Sequence, residues 1–175
     1  DLRTILRLLP GRPDVDRARI ALWGDSFAAT NDGKATAVPH DADPQPTYAE
    51  PLGGLLALLA GLFEPDVVKV VYVRGGLVNY RAALESSFLY VPHDAVVPGA
   101  AMAGDLGNVA ATVAPRPLRL DSLVDGLNRS ASDSAVSQAY EPATRAYKDA
   151  KADGSLVIKA PPGESAVKWL LGQLK

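Results

Sequence analysis

The sequence predicts an α/β fold: a mainly parallel sheet of about four strands with helices on both faces, a Rossmann-like three-layer sandwich. Three observations predict it. Strand-type segments occur at four places, around residues 20–23, 67–73, 117–124 and 155–159. Helical-period segments lie between them, and strands joined by crossover helices imply parallel neighbours. The composition, 47% apolar and 22% charged over 175 residues, is that of a folded chain with one sizeable core. One domain is therefore expected over residues 1–175.

The elements follow in chain order. Leu2, Ile5, Leu6 and Leu9 repeat at helical spacing, and Pro10-Gly11 stops that helix. Ile20-Ala21-Leu22-Trp23 is fully apolar and reads as a buried strand. Residues 31–49 are rich in Asp and Pro without periodicity and read as a long ordered loop. Glu50 to Phe63 reads as a helix, with Pro51 tolerated in its first turn. Val67 to Val73 is the strongest strand signal, and Gly75-Gly76 ends it. Asn79 to Leu89 is expected to be helical, 91–104 a loop punctuated by Pro and Gly, and Asp105 to Val113 a short helix. The third strand is expected from Pro117 through Val124, with Asp125-Gly126 as its turn. Glu141 to Ala150 is a helix, Ser155 to Lys159 the fourth strand, and Val167, Leu170, Leu171 and Leu174 mark a closing amphipathic helix.

Charge and composition exclude several classes. The net charge of −2, with both signs interspersed, gives no electrostatic footprint for nucleic acid and no polybasic membrane patch. No apolar run is long enough to span a bilayer; the richest, 52–63, is broken by Gly53, Gly54 and Gly61. The absence of Cys excludes disulfides, thiolate metal sites and a Cys nucleophile, and fits either redox compartment. No cofactor is expected. Gly75-Gly76 lacks the third Gly and the acidic residue of a dinucleotide fingerprint and reads instead as a tight turn at the sheet edge. The first residue is Asp1, without a secretory signal, so a processed or excised piece is expected and the compartment stays unassigned.

Gly24-Asp25-Ser26-Phe27-Ala28 carries the most chemistry. A buried strand runs into a Ser with small residues two before and two after it. A nucleophile elbow needs that pattern, because its turn is so tight that neighbouring side chains must leave room. Ser26 is then the candidate nucleophile, and the Phe27 N–H the candidate oxyanion donor. The blander reading is an ordinary strand-to-loop turn that contains a Ser.

Three blocks extend the pattern. They are residues 12–26, ending in Ile20-Ala21-Leu22-Trp23-Gly24-Asp25-Ser26; residues 67–76; and Asp105 to Leu120 with Ala114-Pro115-Arg116-Pro117-Leu118, followed by Val124-Asp125-Gly126-Leu127-Asn128-Arg129. Together they resemble the C-terminal half of an α/β-hydrolase, in the acetyl xylan esterase and dienelactone hydrolase branch. The resemblance covers nearly the whole chain. It implies Ser26 as nucleophile and Asp125 as the triad acid, in the order Ser then Asp. It also implies a small acyl ester on a carbohydrate as substrate, and early strands supplied by an upstream segment or a partner. Ser26, Asp125 and the loop of Gly163 and Glu164 are expected to meet at the strand ends.

The family's catalytic His belongs in the loop after the last strand. That loop reads Ala160-Pro161-Pro162-Gly163-Glu164-Ser165, with Glu164 about where the His would stand. A Ser hydroxyl is a poor nucleophile without a base, and a carboxylate beside Asp125 does not replace imidazole. Impaired catalysis is expected, and a non-catalytic pseudo-hydrolase scaffold is the alternative. The two His present, His40 in the long loop and His93 in Tyr90-Val91-Pro92-His93-Asp94, are the remaining candidate bases, because triads are geometric rather than sequential. Their blander reading is a surface or capping His. His40 with Asp41 and Asp43 is a weak metal pattern, and no metal is expected. Arg116 and Arg119 read as solvated partners of Asp105 or Asp121. Trp23 and Trp169 read as core fillers. Gly24-Asp25-Ser26 also matches the first block of the SGNH or GDSL hydrolases, but the Asp-x-x-His those enzymes need near the C-terminus is missing.

Overall fold

The computed structural model describes residues 1–34, 38–39, 41–85, 87–161 and 163–175. Helix α1 (Leu2–Leu8) continues into a 3-10 turn, Leu9–Gly11, where Pro10 and Gly11 stop it. Strand β1 (Ala21–Asp25) is followed by helix α2 (Leu52–Phe63) and strand β2 (Val70–Arg74). Three short helices follow: α3 (Tyr80–Leu84), α4 (Ala100–Ala103) and α5 (Leu106–Ala111). Strand β3 (Leu118–Asp121), helices α6 (Asp133–Ala139) and α7 (Glu141–Asp149), strand β4 (Leu156–Ile158) and helix α8 (Ala166–Gln173) complete the order.

The four strands form one all-parallel sheet in the order β1-β2-β3-β4. Parallel crossovers share one hand, so a sheet laid down in chain order collects its crossover helices on one face. Leu22, Val71, Val73, Leu118, Leu120 and Ile158 point to that face. They pack with Ala57 and Leu58 of α2, Ala110 of α5, and Ala143 and Tyr147 of α7. Leu6 of α1 joins the same core. Glu64, just past α2, holds α1 in place by accepting from Arg3 Nε at 2.6 Å and pairing with Arg7 Nη2 at 3.0 Å. The opposite face carries Val70, Tyr72 and Val157 beneath Trp169 and Leu170 of α8. The result is a three-layer α/β fold, and among the described residues no helix is long and apolar enough to cross a membrane.

Some boundaries differ from expectation. Strand β3 stops at Asp121 because Ser122 turns left-handed, with φ 51°. Val124 then makes only single bridges, to Leu77 and Ser130. Helix α3 ends at Leu84 instead of Leu89, and α4 forms inside the stretch expected to be loop. Helix α6 was not signalled by apolar periodicity. Its start is set by Ser132, whose side chain accepts from the Ala135 N–H.

Candidate functional site

The carboxyl ends of the strands carry Ser26, Gly75, Ser122 and Lys159, each one residue past its strand. Ser26 prolongs the ladder by one bond, donating its N–H to Arg74 O at 2.9 Å. Its side chain lies against Gly75. A Cβ on Gly75 would stand 2.6 Å from Ser26 Cβ, and Gly75 has φ 71°. Ser26 is half-buried, and its Oγ has no hydrogen-bond partner among the described residues.

The turn at Ser26 differs from a nucleophile elbow in two respects. Ser26 is absent from the residues with left-handed φ, so its backbone is not strained. No helix follows Ser26 directly, and α2 begins at Leu52. Gly24 serves a different contact from the one an elbow requires. A Cβ there would run into the carbonyl of Gly53, so it is α2 that needs Gly24 to be bare. The Phe27 N–H, the expected oxyanion donor, points to Glu50 Oε2 at 3.3 Å, while the Phe27 ring is exposed.

Asp125 sits in the loop after β3 and is half-buried. Its Oδ1 accepts from the N–H groups of Leu127 (2.9 Å) and Arg129 (3.0 Å). Its Oδ2 accepts from Arg129 Nε at 2.8 Å and pairs with Nη2 at 2.7 Å. Both oxygens are therefore occupied within one five-residue loop. That loop also holds the chain after Ser26. Asn128, left-handed at φ 54° and buried, donates from Nδ2 to Ala29 O and Thr47 O. Asn31 answers by donating to Thr47 O and Leu127 O, both at 2.9 Å.

The other candidates lie apart from Ser26 in their bonding. His93 begins a 3-10 turn, His93–Ala95, with its ring exposed and without a hydrogen bond among the described residues. His40, and with it the His40-Asp41-Asp43 pattern, lies outside the described residues. Among the described residues no three His, Asp or Glu stand together as a metal requires. Glu164 Oε2 accepts from Arg119 Nη1 at 2.7 Å on the α8 face. No hydrogen bond or ion pair joins Ser26, Asp125 and Glu164 to one another. Asp125 and Glu164 are each paired with an arginine of their own.

Sequence reasoning misread the polar cluster around Arg119. Its side chain is 3% exposed, so the pair with Asp121 is buried rather than solvated. The guanidinium lies against both the Tyr72 and Trp169 rings, 5.1 and 5.6 Å from their centroids. Asp121 Oδ2 accepts from Arg119 Nε at 2.6 Å and Tyr72 OH at 2.9 Å, and its Oδ1 from the Ala160 N–H at 2.7 Å. Burial, reinforced by the hydrogen bond to Asp121, pushes the Tyr72 phenol up to about 12. The signal was legible: Arg119 and Asp121 stand two apart in an apolar strand and so share a face. Among the described residues Arg116 bonds no carboxylate; it donates to Val68 O and Gly61 O, while Asp105 caps α5. Trp169 is core, but Trp23 is 41% exposed at the sheet edge under Arg74. Comparison with protein-family models, with curated proteins and with solved structures finds no match.

Proposed function

We propose that this chain is a hydrolase-like α/β domain that acts as a non-catalytic scaffold or binding module. The hydrolase part rests on the sequence resemblance. One observation carries the non-catalytic part: both oxygens of Asp125 are occupied by its own loop and by Arg129. A triad acid works by accepting from an imidazole N–H and holding that ring on the nucleophile. Here Oδ1 takes two backbone N–H groups and Oδ2 takes the guanidinium, so an imidazole would have to displace Arg129. The remaining parts agree. Glu50 takes the Phe27 N–H, so a developing oxyanion would meet a carboxylate where it needs a donor. Glu164, where the family's base would stand, is tied to a buried arginine.

A second reading, a serine ester hydrolase acting on a small ester or acylated carbohydrate, is favoured by one feature. Ser26 Oγ is unbonded, and its neighbours Asp25 and Phe27 line an open, largely apolar groove of about 580 Å³ with Trp23, Leu56 and Arg74. Active-site labelling with a fluorophosphonate separates the two. The scaffold reading expects no label on Ser26 and p-nitrophenyl acetate turnover equal in the parent and Ser26→Ala proteins. Label on Ser26, with turnover lost in Ser26→Ala, overturns it in favour of the esterase.

A further inference from the structure

A second concavity lies away from Ser26, between the carboxyl ends of β3 and β4 and the helices α6 and α7. It has a volume of about 440 Å³. Leu120, Leu123, Val136 and Ile158 form its apolar floor; Ser122, Lys159 and Asp133 stand at its rim. Ligands of parallel α/β sheets gather at the carboxyl ends of the strands, and a mostly apolar pocket of this size with a few polar groups is the usual form of a small-molecule site.

Backbone conformation marks the same place independently. Four described residues other than glycine have left-handed φ: Ser122, Asn128, Lys151 and Lys159. Two have structural explanations. Lys151 follows Ala150, the C-cap of α7, where helices commonly end left-handed. Asn is the residue type that tolerates this conformation best, and Asn128 has its loop-clasping bonds besides. Ser122 (φ 51°) and Lys159 (φ 63°) have neither, and both line the hollow. Held strain of this kind concentrates at binding sites.

We propose that this hollow binds a small aliphatic α-amino acid as its zwitterion. The rim offers one cation and one anion, Lys159 Nζ and Asp133 Oδ1, 2.7 Å apart. Both side chains are more than two-thirds exposed, at 72% and 80%, so little is lost when the pair is shared with a ligand. An ammonium or a carboxylate alone would bring a like charge beside one member of the pair. A zwitterion laid antiparallel across it places its carboxylate on Lys159 and its ammonium on Asp133, so that charges alternate at all four corners. Ser122 and Ser130 add hydroxyls that donate or accept, and the aliphatic side chain covers the floor. This site involves none of Ser26, Phe27 or Asp125, and it stands or falls apart from either reading of them.

Amide chemical shifts in the full chain, followed during titration with L-leucine, test the proposal. Isocaproate, which lacks the ammonium, and isoamylamine, which lacks the carboxylate, are the comparison ligands. Saturable shifts at Ser122, Ile158 and Lys159 are expected with leucine, with each comparison ligand weaker by at least about tenfold. Lys159→Gln and Asp133→Asn alter exposed side chains and are expected to fold; each is expected to weaken leucine by about tenfold. Val136→Trp is expected to fill the hollow and abolish the shifts. No saturable shift with leucine, equal binding of either comparison ligand, or undiminished binding by Lys159→Gln overturns the proposal.

Discussion

Gly75 is fixed by Ser26. At φ 71° an L side chain is strained in any surroundings, and here its Cβ would also stand 2.6 Å from Ser26 Cβ. Gly75→Ala is therefore expected to destabilise the protein by about 3 kcal/mol, read as a lower midpoint of urea unfolding. Gly172 provides the contrast. It lies inside α8 with open space around the position a Cβ would take. Gly172→Ala is expected to stabilise by about 0.5–1 kcal/mol in the same measurement. A destabilising Gly172→Ala, or a neutral Gly75→Ala, would show that the two glycines are not distinguished by these contacts. Reading the Gly75-Gly76 pair as a turn needed only the strand before it. Reading which side chain the turn protects needed the partner strand, 49 residues back, and no local pattern carries that. The small residues around Ser26 show the same limit. Gly24 matches an elbow pattern and is bare for another reason, the approach of Gly53 on α2.

At the scale of elements, two polar clasps hold the loops beyond the strand ends. The first fastens α8 and its preceding loop to the sheet through Arg119. Its acids are unequal. Asp121 is 11% exposed and accepts three hydrogen bonds, while Glu164 is 38% exposed and accepts one. Removing one partner of a buried pair leaves the other charge uncompensated, whereas a half-exposed partner is replaced by water. Asp121→Asn is expected to cost about 3 kcal/mol, and Glu164→Gln about 1 kcal/mol or less. Equal effects in denaturant unfolding would mean that burial does not set the strength of this cluster. The second clasp, Asn31 with Asn128, ties the loop after β1 to the loop after β3. Asn128→Ala loses two donated bonds and places Ala in a left-handed turn, at a cost of about 2–3 kcal/mol. It should also open residues 41–49 to limited proteolysis before global unfolding; Asn128→Gly, which keeps the turn, should cost less. If both variants are cleaved at the parent's rate, the clasp does not hold that loop. Asp125 was legible as a loop acid, but not the arginine four residues on that engages it. Spacing alone does not tell whether a carboxylate faces its own loop or a neighbour's ring.

For the whole molecule, the parallel sheet of four strands with helices on both faces was the most legible feature, because apolar runs separated by helices leave few arrangements other than parallel ones. What the sequence did not reveal is how unevenly the two faces are built. One is a mainly aliphatic core under α2, α5 and α7, closed by Tyr140 and Tyr147; the other pairs aromatic rings with a buried charge, with Tyr72 at its centre beneath α8. That asymmetry predicts how stability depends on alkaline pH. Burial first, and Asp121 second, raise the Tyr72 phenol from 10.0 to about 12. The neutral phenol is the form the fold retains, so the unfolded chain loses this proton at lower pH than the folded one. The stabilisation is complete below the unfolded value near 10 and declines as pH rises towards about 12. Over that window the loss reaches up to about 3 kcal/mol. Burial raises Tyr140 and Tyr147 in the same direction, so the parent protein falls steeply above pH 10 from several tyrosines at once. The difference between the parent and Tyr72→Phe isolates one of them. At neutral pH the variant is less stable by about 1 kcal/mol, having lost the bond to Asp121. Above pH 10 the parent alone carries the Tyr72 penalty, so the two stability curves converge and cross before pH 12. Unfolding free energies from denaturant titrations at stepped pH, with phenolate absorbance followed in parallel, read this directly. Parallel curves across the window would show that Tyr72 ionises at the same pH in the folded and unfolded chains.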